Sequence, residues 1–229
     1  MCGRFVQSSE PETYAELFAV DRIVADRLPP SYNVAPTDPV YAVAEHDEAR
    51  LLGAFRWGLI PFWAKDKKIA AKNINARSET AATKSTFRES FAKRRCLIPA
   101  EGFYEWQPRP KGKLPHYIYG VDAPLAFAGL WATWRDPETD ERIRSCSILT
   151  GAPNTMVEPI HDRMPVILPA EVWDGWLDRS LTDPDEVAGM LRPVGTETMS
   201  MHAVSTLVNK VANNVPELVD PLKTGAVDQ

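Results

Sequence analysis

The chain has 229 residues, 44% of them hydrophobic, and a formal net charge of −5 at pH 7. That length suffices for one large domain or two small ones. Three cysteines at long spacings (Cys2, Cys96, Cys146) argue against a disulfide framework and a clustered zinc site, and fit a reducing cytoplasm. No apolar run marks a signal peptide or membrane span, and acidic residues stand early, at Glu10 and Glu12.

The chain opens Met1-Cys2-Gly3-Arg4-Phe5. Cysteine is small enough for the initiator Met to be cleaved from it, which leaves an amine and a thiol on adjacent carbons. Their reference pKa values are about 7.7–8.0 and 8.5, so both are partly reactive near neutral pH. Such a residue can condense its amine with an aldehyde to an imine and then close a thiazolidine ring through its thiolate. An ordinary second-position cysteine is the alternative at this point.

A short strand is expected over residues 3–7. A helix follows, with Ser9 as cap, Pro11 in the first turn and Glu12 three residues on. Tyr14, Leu17 and Phe18 share one of its faces. The run 29–36 holds three prolines and is not helical. Two strands, 39–45 and 49–57, flank a turn at His46-Asp47-Glu48. After the break at Trp57-Gly58-Leu59-Ile60-Pro61, a helix is expected over 86–93, then a strand 96–98 ended by Pro99. Residues 102–106 alternate as a strand with Glu105 at its middle, and 108–114 form a basic loop before a return strand over 115–119. Further strands are expected at 125–134, 143–150, 166–168 and 199–204. Helices are expected at 170–177 and 183–191, and residues 209–218 form a loop or helix. One α+β domain over 1–222 is expected, a strongly bent, mainly antiparallel, barrel-like sheet flanked by short helices, with a frayed tail at 223–229.

Charge is unevenly distributed. Between Lys65 and Lys113 stand 13 Lys/Arg against 5 Asp/Glu, a net of +8 that leaves −13 for the rest. A local basic face attracts phosphates whatever the total charge; chance clustering on a solvated surface is the alternative. Glu105, if it points inward, loses solvation and its pKa rises toward the range useful for proton transfer. His161 precedes an apolar segment, where loop-borne catalytic groups often sit. Asn75 suits orienting a nucleophile, or simply a turn. Arg4 and Arg77 suit phosphates, or pairing with carboxylates.

Six short motifs occur in order: Cys2-Gly3-Arg4-Phe5, Tyr32-Asn33-Val34-Ala35-Pro36, Trp57-Gly58-Leu59-Ile60-Pro61, Asn75-Ala76-Arg77-Ser78-Glu79-Thr80, Pro99-Ala100-Glu101-Gly102-Phe103-Tyr104-Glu105-Trp106 and His161-Asp162-Arg163-Met164-Pro165. Together they closely resemble the SRAP family of abasic-site processing proteins, from Cys2 to about Asn213. The resemblance implies an abasic-site sensor in single-stranded DNA that forms a covalent thiazolidine crosslink through Cys2 after loss of Met1. It implies catalytic roles for Cys2, Asn75, Glu105 and His161: Asn75 positions the amine or the sugar, Glu105 shuttles protons and assists Met1 removal, and His161 exchanges a proton with the sugar oxygen. It implies DNA contacts at Arg4, Asn33, Phe62, Trp63, Arg77 and Trp106, with neither metal nor cofactor. A monomer is expected, cytoplasmic and nucleoid-associated when bound to damaged DNA, whose partner is abasic single-stranded DNA and no membrane. Two alternatives remain: a non-covalent binder of single-stranded or modified-base DNA, and a cysteine peptidase acting on other proteins.

Overall fold

A consecutive apolar run over residues 40–44, buried on both faces, builds the central hairpin, in which β4 (Pro39–His46) and β5 (Ala49–Trp57) pair from His46↔Ala49 to Pro39↔Arg56. Asp47 and Glu48 both take positive φ, 51° and 60°, the geometry that a tight two-residue hairpin turn demands. The computed structural model describes residues 2–222; Met1 and the tail expected at 223–229 lie outside the described residues. The strands before this hairpin are β1 (Phe5–Gln7), β2 (Arg22–Ile23) and β3 (Ser31–Val34); after it come β6 (Asn75–Arg77), β7 (Arg95–Ala100), β8 (Gly102–Pro108), β9 (Lys113–Gly120), β10 (Leu125–Arg135), β11 (Arg142–Gly151), β12 (Met164–Pro165) and β13 (Met199–Ala203).

Five strands close on themselves. β5 pairs β4, β4 pairs β7, β7 pairs β10 and β10 pairs β11, each antiparallel. β11 then runs parallel to β5 through Ser145↔Arg56 and Cys146↔Trp57, completing a barrel without free edges among its members. β6 extends it, parallel to β11 at Ile148↔Asn75 and Thr150↔Arg77. A second sheet, ordered β13-β9-β8-β1-β3, covers the barrel. Its inner face supplies Phe5, Phe103 and Ile118 to a core shared with Trp57, Ile98, Phe127 and Ile148. Phe5 meets Trp57 edge-on, ring centroids 4.9 Å apart. Its outer face carries Val6, Tyr104 and Tyr117, covered by Val208 and Leu218 from the last described segment.

Several local expectations change. β7 runs through Pro99 to Ala100 instead of ending before it. Proline lacks an N–H, so it needs a position with no ladder donor to lose. Next to it the Gln7 carboxamide fills the place of a strand, donating to Pro99 O (2.9 Å) and Tyr41 O (3.1 Å) and accepting from Tyr41 N (2.7 Å). Helix α1 (Pro11–Leu17) has Glu10, not Ser9, at its N-cap position, without a side-chain cap hydrogen bond, and the Ser9 N–H donates to Tyr14 and Glu101. The segment 166–168 is no full strand: β12 ends at Pro165 and only Ile167 bridges to Phe127.

Helices α2 (Ser78–Ala81), α3 (Arg88–Lys93), α4 (Trp173–Leu177) and α5 (Pro184–Gly189) complete the fold, the last capped by the Asp183 side chain. Residues 170–172, expected to open the helix before α4, form a 3-10 turn. Tyr14, Phe18, Phe87, Phe91 and Trp176 bury the helical faces against the barrel's exterior. Arg95 is only 3% exposed; its guanidinium donates to the carbonyls of Phe91, Ala92, Trp176, Asp178 and Leu181, tying α3 and α4 to β7. One charge of the basic stretch is therefore internal.

Candidate active site

Cys2 is fully buried in the shared core, three residues before β1 begins at Phe5. Its thiol donates weakly to Arg4 O at 3.7 Å. Burial, reinforced by the negative charge of Glu105, pushes the thiol well above the ordinary range. The Asn75 side chain reaches across from β6 and donates to the Cys2 carbonyl at 2.7 Å. Because a carbonyl only accepts, this bond assigns Nδ2 of the carboxamide. The Asn75 Oδ1 is buried with no hydrogen-bond partner among the described residues. Asn75 is held in turn by the β6–β11 pairing and by the Trp57 indole, which donates to the neighbouring Ile74 O at 2.9 Å.

Glu105 sits at the centre of β8, on the same face as Phe103, and is 2% exposed. Of the two orientations open to an alternating strand, the inward one is taken. Desolvation raises its pKa to about 7, with the charge of Asp162 adding to the rise and the Trp106 backbone N–H opposing it. His161 Nε2 lies 4.0 Å from Glu105 Oε2. The other ring nitrogen accepts the Arg163 backbone N–H at 3.0 Å, which leaves the proton on Nε2, facing Glu105. Asp162 Oδ1 stands 2.9 Å from that same Nδ1, but it is an exposed, water-screened neighbour, and partial burial keeps the His161 pKa below its usual value. The pair thus joins a carboxyl whose proton affinity is raised by burial to an imidazole whose proton affinity is lowered by it.

Three distant segments thus converge on the chain's second residue: β6 with Asn75, β8 with Glu105 and the 151–163 loop with His161. Arg163, not singled out from the sequence, anchors that loop. Beyond holding the imidazole, it forks onto Glu79 at 2.6 and 2.9 Å and donates to Thr150 O. Its place two residues after His161 in the same motif was the available signal.

The expected DNA-contacting residues fall into two groups. Phe62 (64% exposed) and Trp63 (47% exposed) project from the loop after β5, beside Arg88, and Arg77 is exposed at the end of β6. Their loop starts from Gly58, whose φ of 126° suits glycine and where a Cβ would stand 2.5 Å from Ala70 O. Arg4, Asn33 and Trp106 instead bind the 205–214 loop. Arg4 donates to Asn33 Oδ1 (2.8 Å) and Val208 O (2.9 Å), and Trp106 donates to Asn209 at 2.6 Å. Asn33, 3% exposed, gives its amide to the carbonyls of Val208, Lys210 and Asn213. Its carboxamide thus ties the loop and the Arg4 guanidinium together. Within the basic stretch, Lys67 pairs with Asp136 and Arg94 with Glu89, while Lys65, Lys72, Lys84 and the Arg109–Lys113 hairpin tip stay exposed.

A family model described as SOS response associated peptidase (SRAP) matches residues 1–211. The chain is 44% identical to the abasic site processing protein YoqW of Bacillus subtilis over 223 residues, covering 96% of this chain and 99% of that one. It is 34% identical to the abasic site processing protein YedK of Escherichia coli, covering 97% and 100%. A crystal structure of a protein from Bacteroides thetaiotaomicron superposes with a TM-score of 0.88 at 29% identity, covering 97% of this chain and 100% of that one.

Proposed function

The chain belongs to the SOS response associated peptidase family, and from that premise we propose that it processes abasic sites in single-stranded DNA by forming a thiazolidine crosslink through Cys2. The relatives' names, abasic site processing protein, support the substrate class. The single observation that carries the chemistry is the hydrogen bond from Asn75 to the Cys2 carbonyl, with Glu105 and His161 gathered at the same residue. A buried cysteine whose backbone is gripped from another strand is held for a reaction at its own nitrogen and sulfur.

Loss of Met1 by hydrolysis of the Met1–Cys2 bond frees the amine; Glu105 is the group suited to move the protons. The ring-opened deoxyribose presents an aldehyde. The Cys2 amine adds to it, and Glu105 accepts the ammonium proton and returns one to the departing hydroxyl, so that one water leaves and an imine forms. A carboxyl whose pKa is raised by burial serves both directions, because it holds and releases a proton more evenly near neutral pH than an ordinary glutamate. The thiol then adds across the C=N bond, its proton passing to the nitrogen, and the five-membered ring closes with no further loss. The elevated thiol pKa means the proton must be taken during the attack; Glu105 is the base at hand. His161, through its Nε2 proton, is the group suited to donate to the ring oxygen as the sugar opens. Asn75 Oδ1 offers an acceptor to the reacting amine or sugar hydroxyl.

The buried, proton-retaining thiol weighs against a cysteine peptidase acting on other proteins, whose nucleophile needs a depressed pKa. Phe62, Trp63 and Arg77 are suited to bases and phosphates of a single strand. The test is a denaturing gel and an intact-mass measurement after mixing with single-stranded DNA carrying one abasic site. A heat-stable adduct, smaller by one water than the sum of its parts, is expected from the Met1-free protein. Cys2→Ser should give an adduct only when a hydride donor traps the imine. A heat-stable band from Cys2→Ser, or from protein retaining Met1, would overturn the mechanism.

A further inference from the structure

A cavity of about 230 Å³ opens where β6 passes into α2, and none of its lining residues has a role in the chemistry above. Met164, Pro165 and Pro193 give it apolar walls, and Ser78 and Glu79 form its polar side. An apolar cavity of about 150 Å³ holds one benzene, so this one has room for a single substituted heterocycle. Its position follows from β6. Asn75 grips Cys2, exposed Arg77 is two residues further and Ser78 follows, so at about 3.3 Å per residue the cavity begins roughly 10 Å from Asn75. A strand with its lesion at Cys2 and a phosphate on Arg77 carries the neighbouring base over the cavity mouth.

The polar side is built to be rigid. Both carboxylate oxygens of Glu79 are held by the Arg163 fork, at 2.6 and 2.9 Å, and each retains a further lone pair. A fixed carboxylate acceptor is the partner of an exocyclic amino group, as on cytosine N4, and is mismatched to the thymine O4 carbonyl. An abasic site has already removed one stacking neighbour, which lowers the cost of turning the adjacent base out. The geometry points to a nucleobase subsite: the base next to the lesion leaves the stack, lies between Met164, Pro165 and Pro193, and is chosen for its amino group by Glu79. This inference rests on the single-stranded abasic DNA reading above.

Two measurements test it. The first uses single strands with a tetrahydrofuran abasic analogue and 2-aminopurine at either flank. Fluorescence should rise several-fold at one flanking position and not two nucleotides away. The second compares adduct rates on true abasic strands with cytosine or thymine at that flank, where about a tenfold preference for cytosine is expected. Gly151→Leu should bring that ratio toward one, because a Cβ at Gly151 faces Val166 Cγ2 at 3.3 Å and Ser78 Oγ at 3.5 Å, inside the cavity. Glu79→Gln is the second variant, should the first fail to fold; it should erase the cytosine preference while the flank fluorescence persists. Adduct formation with no flank fluorescence and equal rates for the two bases would overturn the subsite alone and leave the crosslinking reading standing. The fluorescence arm needs no covalent chemistry, so it decides the subsite even if no adduct forms.

Discussion

Replacing Glu105 by glutamine should stabilise the protein at alkaline pH while slowing its chemistry. Burial raises the Glu105 pKa from 4.5 to about 7. Below pH 4.5 the group is protonated in folded and unfolded chains alike and contributes nothing to pH dependence. Between 4.5 and 7 the unfolded chain gives up the proton and the folded chain keeps it. The folded state then binds more protons, so stability falls as pH rises, and the loss is complete above about pH 7. At 1.36 kcal/mol per pKa unit the shift corresponds to about 3 kcal/mol. Glutamine never ionises and escapes this penalty, less about 1 kcal/mol for fitting its amide hydrogens into the site. Urea unfolding at pH 5, 6, 7 and 8 reads the effect: the difference between variant and wild type should grow with pH by about 2–3 kcal/mol and level off. The rate of heat-stable adduct formation should show an inflection near pH 7 in the wild type and a flat, roughly 10²–10⁴-fold lower profile in Glu105→Gln. Parallel stability curves for the two proteins across this range would refute the assignment of a buried, proton-retaining Glu105.

Asn75→Ala should lower stability by about 1 kcal/mol and slow adduct formation far more than it weakens non-covalent binding; equal losses in both would make Asn75 a binding group instead. Asn33→Ala removes three bonds to loop carbonyls and the Arg4 acceptor, so a loss of about 2–3 kcal/mol is expected. Amide exchange over residues 206–214 should accelerate with it; unchanged exchange would show that other contacts hold the loop. Arg77→Ala should flatten the dependence of log affinity on log salt by about 0.7. Trp63→Ala should lose about 1–3 kcal/mol of affinity at an unchanged slope, and the reverse pattern would exchange their assignments.

Short-range chemistry made much of this molecule readable in advance. The hairpin of β4 and β5 follows from two strand-forming runs around a polar turn at His46-Asp47-Glu48, and the patterns over residues 86–93 and 183–191 found α3 and α5 within a few residues. Errors arose where a distant side chain replaced a backbone partner. Gln7 allows β7 to pass through Pro99, and Glu101, not Glu12, receives the Ser9 N–H, while the helix starts one residue later at Glu10. Neither partner is visible from the residues flanking the proline or the serine.

The site divides the same way. The residue types came from the sequence alone: a second-position cysteine, a carboxyl within an aromatic strand, and a histidine and two asparagines in turn-like motifs. Whether Glu105 faces inward depends on which side of β8 meets the barrel, and alternation gives the period of a strand but not its phase. Packing of the β8-bearing sheet over the barrel, with Phe103 in the shared core, decides that phase, and the resulting desolvation raises the Glu105 proton affinity. The same long-range packing buries Arg95 inside a basic run and gives Asn33 a hold on the 205–214 loop. Sequence determined which groups are present and how each short segment prefers to bend, because those preferences act over a few residues. Tertiary structure alone decided which groups meet and which lose water, because burial is set by segments a hundred residues apart.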